Sequence, residues 1–210
     1  LLQQTYKRLC SGFGKEDILV SSGEQWRKDI RRELPHLPAV NLLLEPMRRD
    51  SAGAIGLAAA HLFRKHKDEV LVSVHADHWI ADSRAYIAVL KRAGRLAEQE
   101  REHTIVVGVQ PTYPETGYGY IQVSKKIAQG VWRAERFIEK PALIRARHFV
   151  KSGNYFWNVG WFAWKLSHLW NLYKKYLPEN FAVLERLSVA SDWSGAVKVE
   201  FPKLRSISID

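Results

Sequence analysis

Sulfur is almost absent from this chain: in 210 residues there is one cysteine, Cys10, and one methionine, Met47. A single thiol excludes an internal disulfide framework and fits a reducing cytoplasm. No apolar run approaches the roughly 18–20 residues that span a bilayer. The opening "LLQQTYKRLC" has no basic n-region and no small-residue cleavage site, so it does not read as a signal peptide. Without an initiator Met it reads instead as the interior of a longer gene. Four familiar signatures are also missing. There is no G-x-x-x-x-G-K-[ST] loop, no G-x-S-x-G elbow, no G-x-G-x-x-G after a strand and no H-E-x-x-H. "GFGKED" at Gly12 imitates a phosphate loop, but it lies between a helix and a strand, which is the wrong order.

Positive charge is in excess. Lys and Arg number 32 against 22 Asp and Glu, a net charge of +10. Nucleic-acid modules concentrate such charge on one element. Here it runs from Lys7 to Arg205, with only a mild cluster at Arg27, Lys28, Arg31 and Arg32. A solvated basic surface accounts for this, and the same field would draw in small phosphorylated ligands. Nucleic acid and membrane are not expected partners.

Helix and strand patterns alternate along the first half. "LLQQTYKRLC" predicts a helix, "DILVSS" a strand and "EQWRKDIRREL" a helix ended by Pro35. The strand "AVNLLLEP" precedes a small-residue helix over 51–65. "DEVLVSVHAD" is a third strand, "SRAYIAVLKRAGRLAEQ" a helix and "HTIVVGVQP" a fourth strand. Repeated strand–helix units indicate an α/β domain with a mostly parallel sheet and helices on both faces. After Thr112, "GYGYIQV" and "VWRAERFIEKP" predict paired strands, "ALIRARHFVKSG" a helix and "WNVGWFAWKL" an aromatic strand. Helices over "HLWNLYKKYLP" and "NFAVLERLS" follow. No linker or repeat divides the chain, so one domain is expected.

In open α/β sheets, ligands sit at the carboxyl ends of strands. That singles out Glu45 and Pro46 after the second strand, Asp77 after the third, and Pro111–Gly119 after the fourth. If Val70–Asp77 is extended, His75 and His78 point to opposite faces and do not easily converge on one metal. Asp77 could bind a hard cation with substrate phosphates, or cap the following turn. Gly117 and Gly119 around Tyr118 allow close backbone approach to a ligand, or form a hairpin turn. Glu139 and Lys140 pair a hydroxyl-binding carboxylate with a phosphate-binding ammonium, or form an exposed ion pair. Asn158, within an aromatic run, needs backbone or ligand partners for its amide.

Singly these motifs are ambiguous, but their order is specific. "LLQQTYKRL", "NLLLEPMRRDSAGAIGLAA", "VHADHWIAD", "PTYPETGYGYI", "RFIEKP", "SGNYFWNVGWF" and "SISID" together resemble the bacterial mannose-1-phosphate guanylyltransferases, over essentially the whole chain. The resemblance implies a Rossmann-like, glycosyltransferase-A-like nucleotidyltransferase domain. Residues 1–111 would form its nucleotide-binding half and 112–210 its sugar-phosphate half. The implied reaction transfers GMP from GTP to mannose 1-phosphate. By the same resemblance, Asp77 and Asp210 are the Mg²⁺-binding carboxylates and, with Lys140, the catalytic residues. Glu45, Pro46, Arg49 and Asp50 fall at the nucleotide, and Gly117, Tyr118, Gly119, Glu139 and Asn158 around the sugar. The protein is expected in the cytoplasm, with a homodimer as its open assembly state.

Some family features differ or are absent. The Gly-rich "GGxGTRLWPLS" loop would lie before Leu1, so the chain is expected to be an inactive piece lacking both ends. Where the family has "EPxGRNTAPAI", this chain reads "EPMRRDSAGAI", and His75 replaces a usual Pro. The alternatives are a nucleotidyltransferase for another sugar 1-phosphate and a non-catalytic sugar-nucleotide-binding homologue.

Overall fold

A computed structural model describes residues 1–64 and 68–210. Two compact units are formed, one from 1–104 with 163–210 and the other from 105–162.

The first unit begins with α1 (Leu2–Cys10), β1 (Val20–Gly23), α2 (Arg27–Glu33) and β2 (Leu42–Glu45). β1 and β2 pair in parallel, Val20 opposite Leu42 and Gly23 opposite Glu45. Ile30, Leu34, Leu37 and Leu42 form a core against which Leu2, Tyr6, Val20 and Leu44 pack. Apolar spacing of three and four turns those helix faces inward. α3 (Asp50–Phe63) follows, rich in Ala and Gly as expected for a helix that neighbours can approach closely. Lys65, the end of the helix expected over 51–65, lies outside the described residues.

β3 (Val70–Ser73) leads to α4 (Ser83–Gln99). Asp82 caps α4, its carboxylate accepting from Arg84 N–H and Ala85 N–H at 2.9 Å each. α4 buries Tyr86, Ile87, Leu90, Ala93 and Ala97 along one stripe.

The second unit holds β4 (Ile105–Val109), β5 (Gly119–Ala128), β6 (Val131–Ile138), α5 (Leu143–Ser152) and most of β7 (Tyr155–Lys165). β5 is flanked by β6 and β7, antiparallel to both, with Gly119 opposite Asn158 and Tyr120 opposite Trp157. The paired strands expected after Thr112 are therefore present. Period-two alternation sends Tyr120, Tyr155 and Trp157 to one face, where Ala146 and Phe149 of α5 complete a core. Gly119, Asn158, Ile121 and Phe156 take the other face.

The chain returns to the first unit through α6 (Leu166–Tyr176), α7 (Pro178–Val189) and α8 (Trp193–Glu200). Phe63 stacks on Trp170 at 4.4 Å, and Trp170 meets Phe181 edge-on at 5.4 Å, which ties α3, α6 and α7 together. Among the described residues, no helix is long and apolar enough to cross a membrane.

Two expectations are corrected. β3 ends at Ser73, not Asp77, and Ala76–Asp77 form a turn. The alternation argument for His75 and His78 therefore fails, and their rings lie 5.1 Å apart between centroids. α8 has no counterpart in the sequence reading.

Candidate active site

Glu45 closes β2, half-buried, and its carboxylate accepts a 2.9 Å hydrogen bond from Ser21 Oγ. Burial raises its pKa above the ordinary carboxylate value, and the Ser21 hydroxyl opposes that shift. Such a carboxylate is a strong acceptor held in one orientation. Pro46 follows it, and at Arg49 the chain turns into α3. Arg49 is committed inward. Its Nη1 donates to Arg48 O at 3.4 Å and its Nη2 to Pro202 O, while its buried Nε has no hydrogen-bond partner.

Asp50 begins α3 with φ of 59°, in the left-handed region that Asp tolerates better than most residues. Its Oδ1 accepts from Ser51 N–H at 2.7 Å. A negative charge in the first turn also complements the helix dipole. Asp50 therefore has a structural role that an Asn would fill only in part.

The tail from Arg205 to Asp210 lies along the start of α3. Ala52 N–H donates to Ile207 O at 3.2 Å and Ile209 N–H to Ser51 Oγ at 2.9 Å. Asp210, exposed at the tail's end, accepts from Ser208 Oγ at 2.9 Å through Oδ2.

Asp77 is exposed in its turn, which Thr5 of α1 holds by donating from Oγ1 to Ala76 O at 3.1 Å. Asp82 does the helix capping, so Asp77 is not needed for it. Beside Asp77, burial lowers the pKa of His78, His75 lowers it further and Asp77 works the other way. Among the described residues, no three His, Cys, Asp or Glu side chains gather as a metal-binding group.

In the second unit, Gly119, Glu139 and Asn158 come together. A Cβ on Gly119 would sit 2.8 Å from Glu139 Oε2 and 3.5 Å from Asn158 Cβ. A methyl there would make the exposed Glu139 carboxylate shift. Asn158 Oδ1 accepts from Gly160 N–H at 3.0 Å, fixing the amide in a strand that would otherwise let it rotate. Lys140, with φ of 39°, pairs with Glu139 at 3.2 Å, and both side chains are largely exposed. A left-handed lysine before Pro141 is strained by roughly 1–3 kcal/mol, and such outliers cluster where function demands them.

Gly117 N–H and Thr116 N–H both donate to Glu115 Oε1 at 2.8 Å, so Glu115 shapes the loop. Tyr118 turns to Trp157, edge-on at 5.6 Å, and Tyr113 does the same at 4.9 Å. The exposed Tyr118 ring thus leans on Trp157 while the neighbouring Gly119 lies beside Glu139. Glu115, Ser51 and Asn180 escaped the sequence reading. Only Glu115 carries a local signal, a carboxylate two residues before a glycine.

The profile of the nucleotidyl transferase family matches residues 1–196. The chain belongs to that family. Alginate biosynthesis protein AlgA of Pseudomonas aeruginosa is 37% identical over 179 residues, 84% of this chain and 37% of the relative. Mannose-1-phosphate guanylyltransferase RfbM of Salmonella typhimurium is 33% identical over 218 residues, 100% of this chain and 45% of the relative. The crystal structure of mannose-1-phosphate geranyltransferase from Thermus thermophilus superposes with a TM-score of 0.87 at 32% identity, covering 100% of this chain and 59% of that one. The chain thus spans less than half the length of these two curated relatives. The α/β nucleotidyltransferase fold expected from the sequence is the fold found.

Proposed function

We propose that the gene product is a mannose-1-phosphate guanylyltransferase of which this chain is one nucleotidyltransferase domain. It would convert GTP and mannose 1-phosphate to GDP-mannose and pyrophosphate. The main support is that a relative of that name aligns over the whole chain. The grouping of Gly119, Glu139 and Asn158 adds to it, because a carboxylate and an amide beside an open glycine suit sugar hydroxyls.

In the reaction, a phosphate oxygen of mannose 1-phosphate attacks the α-phosphorus of GTP. One P–O bond forms, the bond to the bridging β-oxygen breaks, and pyrophosphate leaves with that electron pair. Alignment and charge neutralisation are the main requirements. Glu45 accepts from the guanine N1–H and amino group, which adenine does not offer in that pattern. Pro46, Arg49 and Asp50 shape the chain around the nucleotide. Glu139 and Asn158 take sugar hydroxyls, and the backbone of Gly117, Tyr118 and Gly119 lets the ring approach. Lys140 is held close to Glu139 and can exchange that partner for the sugar phosphate.

The donor set fits a hard cation. Asp77 and Asp210 are exposed carboxylates of one unit, and they would hold a hard cation such as Mg²⁺ together with substrate phosphates. Bound there, Mg²⁺ supplies charge neutralisation for the phosphates. We assign residues 1–111 to the nucleotide and 112–210 to the sugar phosphate. The activity belongs in the cytoplasm, with small-molecule substrates, no nucleic acid or membrane partner, and a homodimer as the assembly to test.

The decisive assay is pyrophosphate release by the full-length gene product from GTP, ATP, UTP and dTTP with several sugar 1-phosphates. Release is expected with GTP and mannose 1-phosphate. A preference for UTP or dTTP with glucose 1-phosphate would move the assignment to another sugar. Tight GDP-mannose binding without turnover would make the protein a non-catalytic homologue.

A further inference from the structure

We propose that Ser51 and Asn180, remote in sequence from "SISID", are positioning residues that set where the Asp210 carboxylate lies. The inference rests on the reading of Asp210 as a metal-binding carboxylate.

The reason begins with the backbone. Residues 205–210 belong to no helix or strand, so their peptide groups need partners from elsewhere. Leu204, buried, anchors the start of the tail. Beyond it the partners come from two helices. Asn180 of α7 is 2% exposed. Its Oδ1 accepts from Arg205 N–H at 2.8 Å and its Nδ2 donates to Arg205 O at 3.1 Å. One side-chain amide thus reproduces the two-bond exchange of a strand partner. Two residues on, Ile207 O takes the Ala52 N–H, and after two more Ile209 N–H donates to Ser51 Oγ. Ser51 Oγ also lies 3.3 Å from Ser208 Oγ, the hydroxyl that donates to Asp210 Oδ2.

Arg205, Ile207 and Ile209 are therefore held in turn, at the period-two spacing of an extended chain. The last hold falls one residue before Asp210. A slip of one residue would send that carboxylate to the opposite side of the tail. Neither Ser51 nor Asn180 has to touch ligand to do this. Metal affinity is sensitive to such supporting contacts, because a ligand that must be reoriented on binding binds less well.

The test uses the full-length gene product and Mn²⁺ as probe. Free Mn²⁺ is read by electron paramagnetic resonance, and hydrogen exchange at Ile209 is followed without metal. Ser51→Ala is expected to speed Ile209 exchange and weaken Mn²⁺ binding by about three- to tenfold. Ser51→Thr, which keeps the hydroxyl, restores both. Turnover by Ser51→Ala should fall at limiting metal and recover when metal is raised, which a general loss of stability would not do. Asn180→Ala should speed exchange at Arg205 and also weaken Mn²⁺ binding. If that variant does not fold, the Ser51 pair decides. Unchanged exchange and Mn²⁺ affinity in Ser51→Ala, with binding lost in Asp210→Ala, overturns the positioning role. Unchanged Mn²⁺ affinity in Asp210→Ala removes the metal reading instead, and this inference with it.

Discussion

Lys165 and Lys140 each stand at or just past the end of a β-strand, and each has a carboxylate within about 3 Å. Their surroundings differ completely. Lys165, in the first unit, is 3% exposed and binds Glu98 at 2.6 Å and Asp68 at 3.5 Å. Arg101 bridges the same two acids at 2.8 and 3.2 Å. Lys165 and Arg101 hold the Glu98 pKa below the ordinary range through their hydrogen bonds. Lys140, in the second unit, is 65% exposed, pairs with one adjacent glutamate and sits on strained backbone. A buried cation with every partner in place is architecture. An exposed cation with one weak partner and a costly conformation is available for chemistry, because surface pairs contribute at most about 1 kcal/mol.

The contrast can be broken first at Lys140. Lys140→Ala should lower kcat/KM for mannose 1-phosphate by about a hundredfold. Its unfolding free energy should stay within about 0.5 kcal/mol of the parent. Steady-state kinetics with denaturant melts checks both. Lys165→Ala should do the reverse. Losing the buried stem should cost about 2–4 kcal/mol in urea unfolding, with kcat/KM of the folded fraction unchanged. Gly119→Ala refines the picture of the second unit. The added methyl meets Glu139 Oε2, so KM for the sugar phosphate should rise roughly tenfold while kcat changes little. Steady-state titration of the sugar phosphate at saturating GTP checks that split.

The smallest effect is a pH dependence at Glu45. Its folded pKa is raised above the ordinary 4.5, so it favours the fold most below that pH. That contribution is lost as pH rises through the raised folded value. The stability of the parent relative to Glu45→Gln should therefore fall between acidic and neutral pH, by about half a kcal/mol or less for a half-buried group. Urea melts of both proteins across that range would show it.

Local pattern explains what was legible. α4 occupies the residues its periodicity marks, 83–99, because one stripe of Tyr86, Ile87, Leu90, Ala93 and Ala97 had to be buried. The pairing of β5 with β6 follows from alternation on both sides of a glycine-containing turn. β3 was overextended because apolar alternation says which face a residue takes, not where hydrogen-bonded pairing stops. α8 went unread although Asp192 caps it, accepting from Gly195 N–H at 3.0 Å, since its short body lacks a clear apolar stripe. Glu45 and Glu139 sit at or just past strand ends, and Asn158 is an amide inside an aromatic strand, so these site residues could be found. Ser51 and Asn180 could not, because their partners lie 158 and 25 residues away.

The division of the chain has a consequence for its synthesis. The first unit is written in two pieces, with residues 105–162 between them. A ribosome releases those intervening residues before it releases Arg205, so Asn180 and Ser51 wait for their partners until the tail emerges. The second unit, continuous in sequence, can close while the first is still open. Translation thus sets the register of the tail only after the residues of the second unit have emerged.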